Sequence, residues 1–337
     1  MARKPRLEYA GAVYHVMNRG NRQQAIFRTD EDRSLFMSAL QEVCERTGWI
    51  VHAYVLMGNH FHVLLETPEP NLVTGMQWLQ GTYTKRFNAA HREWGHLFQG
   101  RYKAIPIETG GDYLSTVATY IHLNPARMKG FDFDRQQLRD YRWSSFPGYV
   151  AKSERMPWLQ VNRVLSSLAL EDTPVGRRHY ADYMTRRVAE VQHAQKPWEA
   201  DERWKAIRRG WCLGGEGFRM EMLDRMGCVV NADTGTAFGG DGFQEHNERQ
   251  AFQLLEKGLE VLGLRAADLP NMKKSSSEKC ALAWLIRKRT SVKTAWIKEH
   301  LHMGSATNLS DLLKRAEAKS KGEPGHGELA RVKGIKI

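Results

Sequence analysis

A short stretch early in the chain constrains the fold more than any other feature. Residues 59–65 read Asn-His-Phe-His-Val-Leu-Leu and follow the run Val55-Leu56-Met57-Gly58. Side chains alternate between the two faces of a strand, so His60 and His62 would share one face while Phe61 points to the other. Two neutral imidazoles side by side on a sheet face indicate a metal site. From this stretch alone, a pair of half-exposed strand histidines is the alternative.

A second feature further along the chain is typical of a helix. Asp112 is a suitable N-cap, apolar residues recur at helical spacing, and Pro125 marks the end. Tyr120 and Asn124 are four positions apart and therefore share a face of the last turn. If this helix crosses the sheet beside the two histidines, the Asn124 carbonyl completes a three-ligand site for a divalent cation, with the Tyr120 nucleophile beside it. A core tyrosine followed by an Asn stop signal is the alternative.

These motifs resemble those of a known family. His60-Phe61-His62 is similar to the His-hydrophobic-His motif of the HUH endonuclease superfamily, and residues 120–125, Tyr-Ile-His-Leu-Asn-Pro, resemble the single-tyrosine segment of its IS200-like transposases. The likeness is greatest to the REP-associated tyrosine transposases, which carry Asn at the position of Asn124 where several other relatives carry Gln. Further stretches agree in order and spacing, and the resemblance covers roughly residues 8 to 150. They are residues 14–22, 98–103 and 141–145.

The resemblance implies a transposase that cleaves and rejoins single-stranded DNA and recognises hairpin DNA. Tyr120 would be the catalytic nucleophile and would form a covalent 5′-phosphotyrosine. His60, His62 and Asn124 would hold the divalent metal, either Mg²⁺ or Mn²⁺; the two imidazoles favour Mn²⁺ as a contender because Mg²⁺ prefers oxygen ligands. His122 lies on a different helical face and is expected to be structural. A homodimer and a monomer both stay open.

The order of the elements predicts the fold of the first part of the chain. In sequence we expect strand 12–18, a helix that ends at Gly48, strands 49–57 and 60–66, helix 72–90, a strand within 99–108, and the tyrosine helix. This β-α-β-β-α-β-α order predicts an α+β fold, with a ferredoxin-like or RRM-like antiparallel sheet and helices on one face. The third strand would be central, and the tyrosine helix could lie on the open face.

The charge of the chain favours a polyanionic partner. Fifty Lys and Arg against 38 Asp and Glu give a formal net charge of +12, and an excess of this size indicates nucleic acid. The candidate DNA contacts are basic or polar residues in the turn after the first strand, on the second long helix, around the catalytic motifs and near the C-terminus. They are Arg19, Asn21, Arg22, Lys85, Arg86, Arg101, Lys103, Arg127, Thr307 and Asn308. A solvated loop is the alternative for the turn, and a solvated charged face is the alternative for Lys85 and Arg86.

After about residue 150 the resemblance to the catalytic domain ends. We predict a catalytic domain at 1–150, a linker and helical region of unassigned role at 151–247, a helical DNA-binding domain at 248–318 and a basic disordered tail at 319–337. In the mainly α-helical C-terminal region, segments 292–301 and 305–316 resemble a helix-turn-helix with Gly304 in the turn. Its second helix would offer Thr307 and Asn308 to a major groove, although any helical hairpin can imitate this spacing.

Other features exclude several classes of protein. No apolar run is long enough to span a bilayer, and no signal peptide is evident, so we expect a cytoplasmic protein with no membrane partner and no small-molecule substrate. The four scattered cysteines indicate neither a disulfide framework nor a zinc ribbon. A catalytically inactive RRM-like nucleic-acid binder and a helix-turn-helix transcriptional regulator are the alternative functions, and a replication initiator or relaxase is the enzymatic rival. Intact His60, His62, Tyr120 and Asn124 together favour the transposase.

Overall fold

A computed structural model describes residues 3–128, 130–194, 203–232, 237–304, 309–322 and 327–335. The chain divides into two compact units, one formed by Arg6–Met222 and the other by Leu223–Ile337 with Met1–Pro5. Each unit has its own apolar core. This division differs from the predicted boundaries after residues 150 and 247, because residues between 151 and 222 share the core of the first unit. The division into domains at 1–150, 151–247, 248–318 and 319–337 stays a prediction.

The first unit is built on a four-stranded antiparallel sheet. Its strand order is β2-β3-β1-β4, and every neighbouring pair is antiparallel. The predicted α+β class with an antiparallel sheet is confirmed. β3 pairs with strands on both sides, as expected, so the His-x-His stretch lies inside the sheet and not at its edge. The strands are β1 (Ala12–Arg19), β2 (Ile50–Met57), β3 (His60–Thr67) and β4 (Lys103–Ile107).

Helices lie on both faces of this sheet. α1 (Asp30–Thr47) and α2 (Leu72–His91) pack on the face that carries Phe61, whose ring centroid is 4.9 Å from that of Phe36 on α1. The helix α3 (Tyr113–His122) lies on the opposite face, where the Tyr120 ring centroid is 5.7 Å from that of His62. The alternation of side chains along β3 therefore separates an apolar core from the face that carries the imidazoles.

Local signals explain where α1 begins and ends. Thr29 and Asp32 form a capping box, in which each side chain accepts a hydrogen bond from the other residue's backbone N–H. Gly48 ends the helix with φ of +71°, a conformation that glycine adopts without a steric penalty. Asp112 precedes α3 as predicted, but its side chain makes no capping hydrogen bond and instead pairs with Arg203 at 2.5 Å.

The rest of the first unit is helical. Its helices are α4 (Phe146–Val150), α5 (Asn162–Ser166), α6 (Pro174–His193) and α7 (Arg203–Arg209), and α8 (Glu216–Ala232) contains the boundary between the two units. Trp204 and Ile207 of α7 are fully buried in the core of this unit. The region predicted as a linker therefore contributes to the core around the sheet. Nowhere in the described chain is a helix both long and apolar enough to cross a membrane.

The second unit is a separate helical cluster. It contains α9 (Asp241–Leu262), α10 (Ser277–Arg289), α11 (Thr294–His300), α12 (Leu309–Gly322) and α13 (Glu328–Val332). The predicted helix-turn-helix corresponds to α11 and α12, and it stays a prediction because residues 305–308, which include Thr307 and Asn308, lie outside the described residues. The prediction of a disordered tail is wrong for residues 328–332, since α13 buries Leu329 and Val332 in the core of this unit.

Candidate active site

A cavity of about 510 Å³ lies on the imidazole-bearing face of the sheet. Its lining includes His60, His62, Tyr120 and Asn124, so the four residues that sequence analysis selected for catalysis and metal binding share one cavity. β3 supplies the two histidines, and α3 with the residue pair that follows it supplies the tyrosine and the amide. This convergence requires α3 to cross the sheet at β3, which it does.

His60 is held so that one of its ring nitrogens faces a fixed partner. Its Nδ1 lies 2.7 Å from the Asn59 Oδ1, an acceptor, so Nδ1 carries the proton and Nε2 keeps a lone pair. Burial lowers the pKa of His60 to about 4, with further lowering by Arg19 and Arg127. At neutral pH the imidazole is therefore uncharged and can donate its Nε2 lone pair to a cation.

His62 forms a hydrogen bond with a third histidine, His15, which the sequence analysis did not select. The Nδ1 of His62 lies 2.9 Å from the Nε2 of His15, on β1. Burial holds the pKa of His62 well below its ordinary value, and burial also lowers the pKa of His15 to about 3. Both rings are therefore neutral near pH 7. Alternation along β1 puts His15 on one face with Val13 and Met17, but only the pairing of β1 with β3 brings it to His62.

Asn124 is anchored by its amide nitrogen. Its Nδ2 donates hydrogen bonds to the backbone carbonyls of Tyr120 at 3.1 Å and Ile121 at 3.2 Å. Because carbonyl oxygens can only accept, these bonds assign the nitrogen side of the amide, and they leave Oδ1 as the remaining acceptor atom. The side chain is buried but lines the cavity. Asn124 therefore presents the atom type that a hard divalent cation prefers.

The ring of Tyr120 is enclosed by aromatic rings and a cation. Its centroid lies 5.8 Å from that of His15 and 5.8 Å from that of Trp204. The guanidinium carbon of Arg127 lies 4.1 Å from the Tyr120 ring centroid and 4.7 Å from that of Trp204, so the cation contacts both rings. Only 6% of Tyr120 is exposed, which means that the ring is fixed by packing where it lines the cavity.

Arg127 also closes the C-terminal end of α3. Its Nε donates to the Leu123 carbonyl at 3.2 Å, and its Nη2 donates to the Tyr120 carbonyl. These are carbonyls that a helix end leaves without intrahelical partners, and a cation there also complements the helix dipole. Burial lowers the pKa of Arg127 to about 10, which leaves the guanidinium charged at neutral pH. The same side chain thus fixes the helix end and places positive charge against Tyr120.

The wall of the cavity is strongly basic. Four predicted DNA contacts lie in it, and α7 adds two arginines that the sequence analysis left in a region of unassigned role. The lining that the structure describes contains no Asp or Glu. The six cationic side chains are those of Arg19, Arg101, Lys103, Arg127, Arg208 and Arg209.

The remaining predicted DNA contacts lie elsewhere. Asn21 and Arg22 are exposed in a short turn, Asn21–Gln23, which the Asn59 amide joins to β3 by donating to the Gln23 carbonyl at 3.1 Å. Lys85 and Arg86 lie on α2, on the other face of the sheet, and neither lines the cavity. Arg86 is paired with Glu42 at 2.8 Å. The structure therefore brings the turn towards the candidate metal ligands but not the α2 residues.

His122 is surrounded by other side chains and lies apart from the cavity lining. It is fully buried, with Nδ1 2.8 Å from the Tyr180 hydroxyl and Nε2 2.7 Å from the Ser145 hydroxyl. Both ring nitrogens are used by these bonds, and burial lowers its pKa to about 3. This neutral, fully bonded histidine has the environment of a structural residue, as expected from its helical face.

The donor atoms of His60, His62 and Asn124 are of the types that bind a divalent cation. Two neutral imidazoles with Nε2 available and one amide oxygen form a mixed nitrogen and oxygen set, which suits Mn²⁺ and also accepts Mg²⁺. The described residues contain no cluster of three or more His, Cys, Asp and Glu side chains suited to a metal. Any site here thus depends on the amide of Asn124 as the third protein ligand.

The sheet-bearing part of the chain matches a known protein family. Residues 8–124 match a family described as "Transposase IS200 like", so the chain is similar over its sheet-bearing part to transposases. The matched segment begins before β1 and ends at Asn124, so it includes both histidines of β3 and Tyr120. α7, with Trp204, Arg208 and Arg209, lies outside it.

Two solved structures are also similar to parts of the chain. One, described as "Structure of the REP associates tyrosine transposase bound to a REP hairpin", is 19% identical with a TM-score of 0.39, over 49% of this chain and 93% of that one. The other is the crystal structure of a putative transposase from Deinococcus radiodurans R1, 20% identical with a TM-score of 0.26, over 35% of this chain and 95% of that one. No curated protein matches the chain significantly.

Proposed function

We propose that this protein is a metal-dependent transposase that cleaves and rejoins single-stranded DNA through a covalent 5′-phosphotyrosine at Tyr120. One observation carries the proposal: the Tyr120 ring lies 5.7 Å from that of His62, in a basic cavity that both residues line with His60 and Asn124. A protein that only binds nucleic acid has no need of a tyrosine held against two neutral imidazoles. The family match over residues 8–124 supports a DNA-cleaving activity of this kind.

His60, His62 and Asn124 would hold the metal, which is Mg²⁺ or Mn²⁺. The atoms that would bind it are the Nε2 of each histidine and the Oδ1 of the amide, since Asn59, His15 and two backbone carbonyls engage the other polar atoms. When bound, a divalent cation there would polarise the scissile phosphate and neutralise charge that develops on its oxygens. Low pKa values keep both imidazoles ready for this role at neutral pH.

Tyr120 would attack the scissile phosphorus in line through its phenolic oxygen. The phenolic proton passes to solvent as the new bond joins that oxygen to the 5′ phosphate. The bond from phosphorus to the 3′ oxygen breaks, and the 3′ oxygen takes a proton from solvent and leaves as a hydroxyl. Attack by that hydroxyl on the phosphotyrosine reverses the step and restores a DNA strand. The guanidinium of Arg127, 4.1 Å from the Tyr120 ring centroid, would stabilise negative charge on the attacking oxygen and the phosphate.

The expected substrate is hairpin DNA, as for the REP-associated branch of the family. Asn124, four positions after the tyrosine, supports that branch, and the six cations around the cavity suit a phosphodiester strand. The strand order β2-β3-β1-β4 supports the ferredoxin-like arrangement expected from the element order. The C-terminal helices, including α11 and α12, would add a second DNA-binding surface if they form the proposed helix-turn-helix.

The proposal is tested by mixing the full chain with single-stranded hairpins drawn from the flanks of its own coding region. With Mn²⁺ or Mg²⁺ present, a denaturing gel should show a covalent protein–DNA band, and a chelator should abolish it. Tyr120→Phe should remove the band, and His60→Ala should weaken it. Tyr113→Phe is the matched control because Tyr113 starts the same helix without lining the cavity. Tight, salt-sensitive binding with no band under any condition would contradict the enzyme and favour a nucleic-acid binder.

A further inference from the structure

Helix α7 packs beside the candidate active site, although it lies outside residues 8–124, which match the family. Trp204 and Ile207, three positions apart, are fully buried on its inner side. Trp204 packs against Tyr120, with ring centroids 5.8 Å apart, and the Arg127 guanidinium contacts both rings. At the start of the helix, Arg203 pairs with Asp112, the residue that precedes α3. α7 is therefore positioned by contacts to the helix that carries Tyr120.

The other end of α7 reaches the basic wall. Arg208 and Arg209 directly follow the buried Ile207, and both line the cavity. Lys103 of β4 donates a hydrogen bond from Nζ to the Arg208 carbonyl at 2.7 Å, which joins the C-terminal end of α7 to the sheet. The two arginines thus enter the cavity from a helix fixed at both ends, and not from a loop.

The number of charges identifies the kind of ligand. A single scissile phosphodiester carries one negative charge, and a divalent cation on the proposed ligands would already exceed it. The cavity nevertheless is lined by six cationic side chains. A cavity lined by cations attracts an anion of several charges more strongly than one of a single charge. A strand of DNA with consecutive phosphates has that character.

From this arrangement we propose that Arg208 and Arg209 bind phosphates of the DNA strand next to the scissile phosphate, so that α7 holds the strand against Tyr120. This inference rests on the proposed function for its substrate, and it adds a binding element from outside the family-matched domain. Contacts of this kind are to the backbone of the strand. They set its affinity and its position, and they carry no base preference.

The test measures binding of a single-stranded oligonucleotide to full-length protein over a series of salt concentrations. All variants carry Tyr120→Phe and are measured with chelator, so that binding is separated from cleavage. For single strands, the slope of log K against log salt changes by about 0.7 for each phosphate contact. The double variant Arg208→Ala with Arg209→Ala should therefore show a slope shallower by about 1.4. Lys205→Ala removes the same kind of charge from an exposed position on α7 outside the cavity lining, and it should leave the slope nearly unchanged.

A charge-retaining double variant distinguishes phosphate binding from a structural role. Arg208→Lys with Arg209→Lys should keep the slope of the parent protein, and thermal unfolding should show that all variants fold. An alanine double variant with the slope of Lys205→Ala would overturn the proposal, as would a lysine double variant that loses as much slope as the alanine one. If the parent protein forms the covalent adduct with metal in the separate cleavage assay while the slope does not respond, only the role of α7 fails. If the slope responds but no adduct forms, the proposed cleavage fails and phosphate binding by α7 stands.

Discussion

The Nε2 of His15 and the Nδ1 of His62 lie 2.9 Å apart on the face of the sheet that α3 covers, and this bond decides which atom of His62 is available to a metal. If Nδ1 of His62 carries the proton, it donates to His15 and the Nε2 lone pair is left for a cation. His15 must then carry its own proton on Nδ1, a buried atom without a hydrogen-bond partner among the described residues. We infer that His15 orients His62 as a ligand at some cost in stability.

The first prediction concerns this pair. His15→Ala should weaken Mn²⁺ binding by about 10- to 100-fold, the range typical for loss of a residue that orients a metal ligand. Isothermal titration of the full chain with Mn²⁺ measures the effect without DNA or turnover. His52→Ala is the matched control, since His52 is equally buried on β2 but is bonded to Glu66 and to the Gln160 carbonyl. Equal Mn²⁺ affinity in His15→Ala and the parent protein would contradict the positioning role.

The second prediction concerns the packing of Trp204 on Tyr120. Trp204→Ala should reduce the free energy of unfolding by about 3–5 kcal/mol, because it leaves a cavity where the ring is fully buried. It should also slow adduct formation under single-turnover conditions, since the Tyr120 ring loses one of its supports, while Mn²⁺ affinity stays the same. Trp204→Phe should restore most of the rate. The phenyl ring is smaller than the indole but still offers an aromatic surface to Tyr120, and the indole N–H that it lacks has no partner in the described structure. A normal rate in folded Trp204→Ala would show that this packing does not position Tyr120.

The third prediction concerns a half-buried ion-pair cluster. Asp172 accepts two hydrogen bonds from Arg155, at 2.6 and 2.9 Å, and one from Arg177 at 2.8 Å, which hold its pKa well below the ordinary value. Asp172→Asn should therefore lower the free energy of unfolding at pH 7 by about 1.5–3 kcal/mol. A carboxyl whose pKa is lower in the folded state stabilises the fold, and this stabilisation is complete above the unfolded pKa of about 3.9. The stabilisation is lost as the pH falls towards the folded pKa.

Urea unfolding at a series of pH values measures this contribution. The difference between the parent protein and Asp172→Asn should be constant from pH 7 to about pH 5 and should shrink below about pH 4 as the carboxylate is protonated. Asp182→Asn, at an exposed position on the same helix, α6, as Arg177, should differ little from the parent protein. A difference that stays constant down to pH 2 would show that the charge of Asp172 does not carry the stabilisation.

Local patterns were enough to predict the sheet and the tyrosine helix. The alternation in residues 59–65 determines which face carries the imidazoles, and Asp112 and Pro125 mark the ends of the segment that carries Tyr120. These signals lie within one or two secondary-structure elements, so they can be recognised in the sequence without knowledge of the tertiary fold. They also placed Asn124 beside Tyr120, because spacing along a helix is a local property.

Contacts between distant elements could not be predicted in the same way. The bond from His15 to His62 needs the register between β1 and β3, and the packing of Trp204 on Tyr120 needs α7 to fold back onto α3. Nothing in the sequence around Trp204 distinguishes it from an ordinary core tryptophan. The prediction of a disordered C-terminal tail was wrong at residues 328–332 for a related reason. The polar composition of the tail hid Leu329 and Val332, which are buried because α13 meets an existing core.

The most direct test of the account is to find which residue carries the DNA after cleavage. Trypsin releases residues 104–127 as one peptide, which contains both Tyr113 and Tyr120. After reaction with a flanking hairpin and nuclease trimming, tandem mass spectrometry of this peptide should place a 5′-linked nucleotide on Tyr120 and none on Tyr113. A nucleotide on any other residue, or a cleaved strand with no covalent peptide, would contradict the assignment of Tyr120 as the nucleophile.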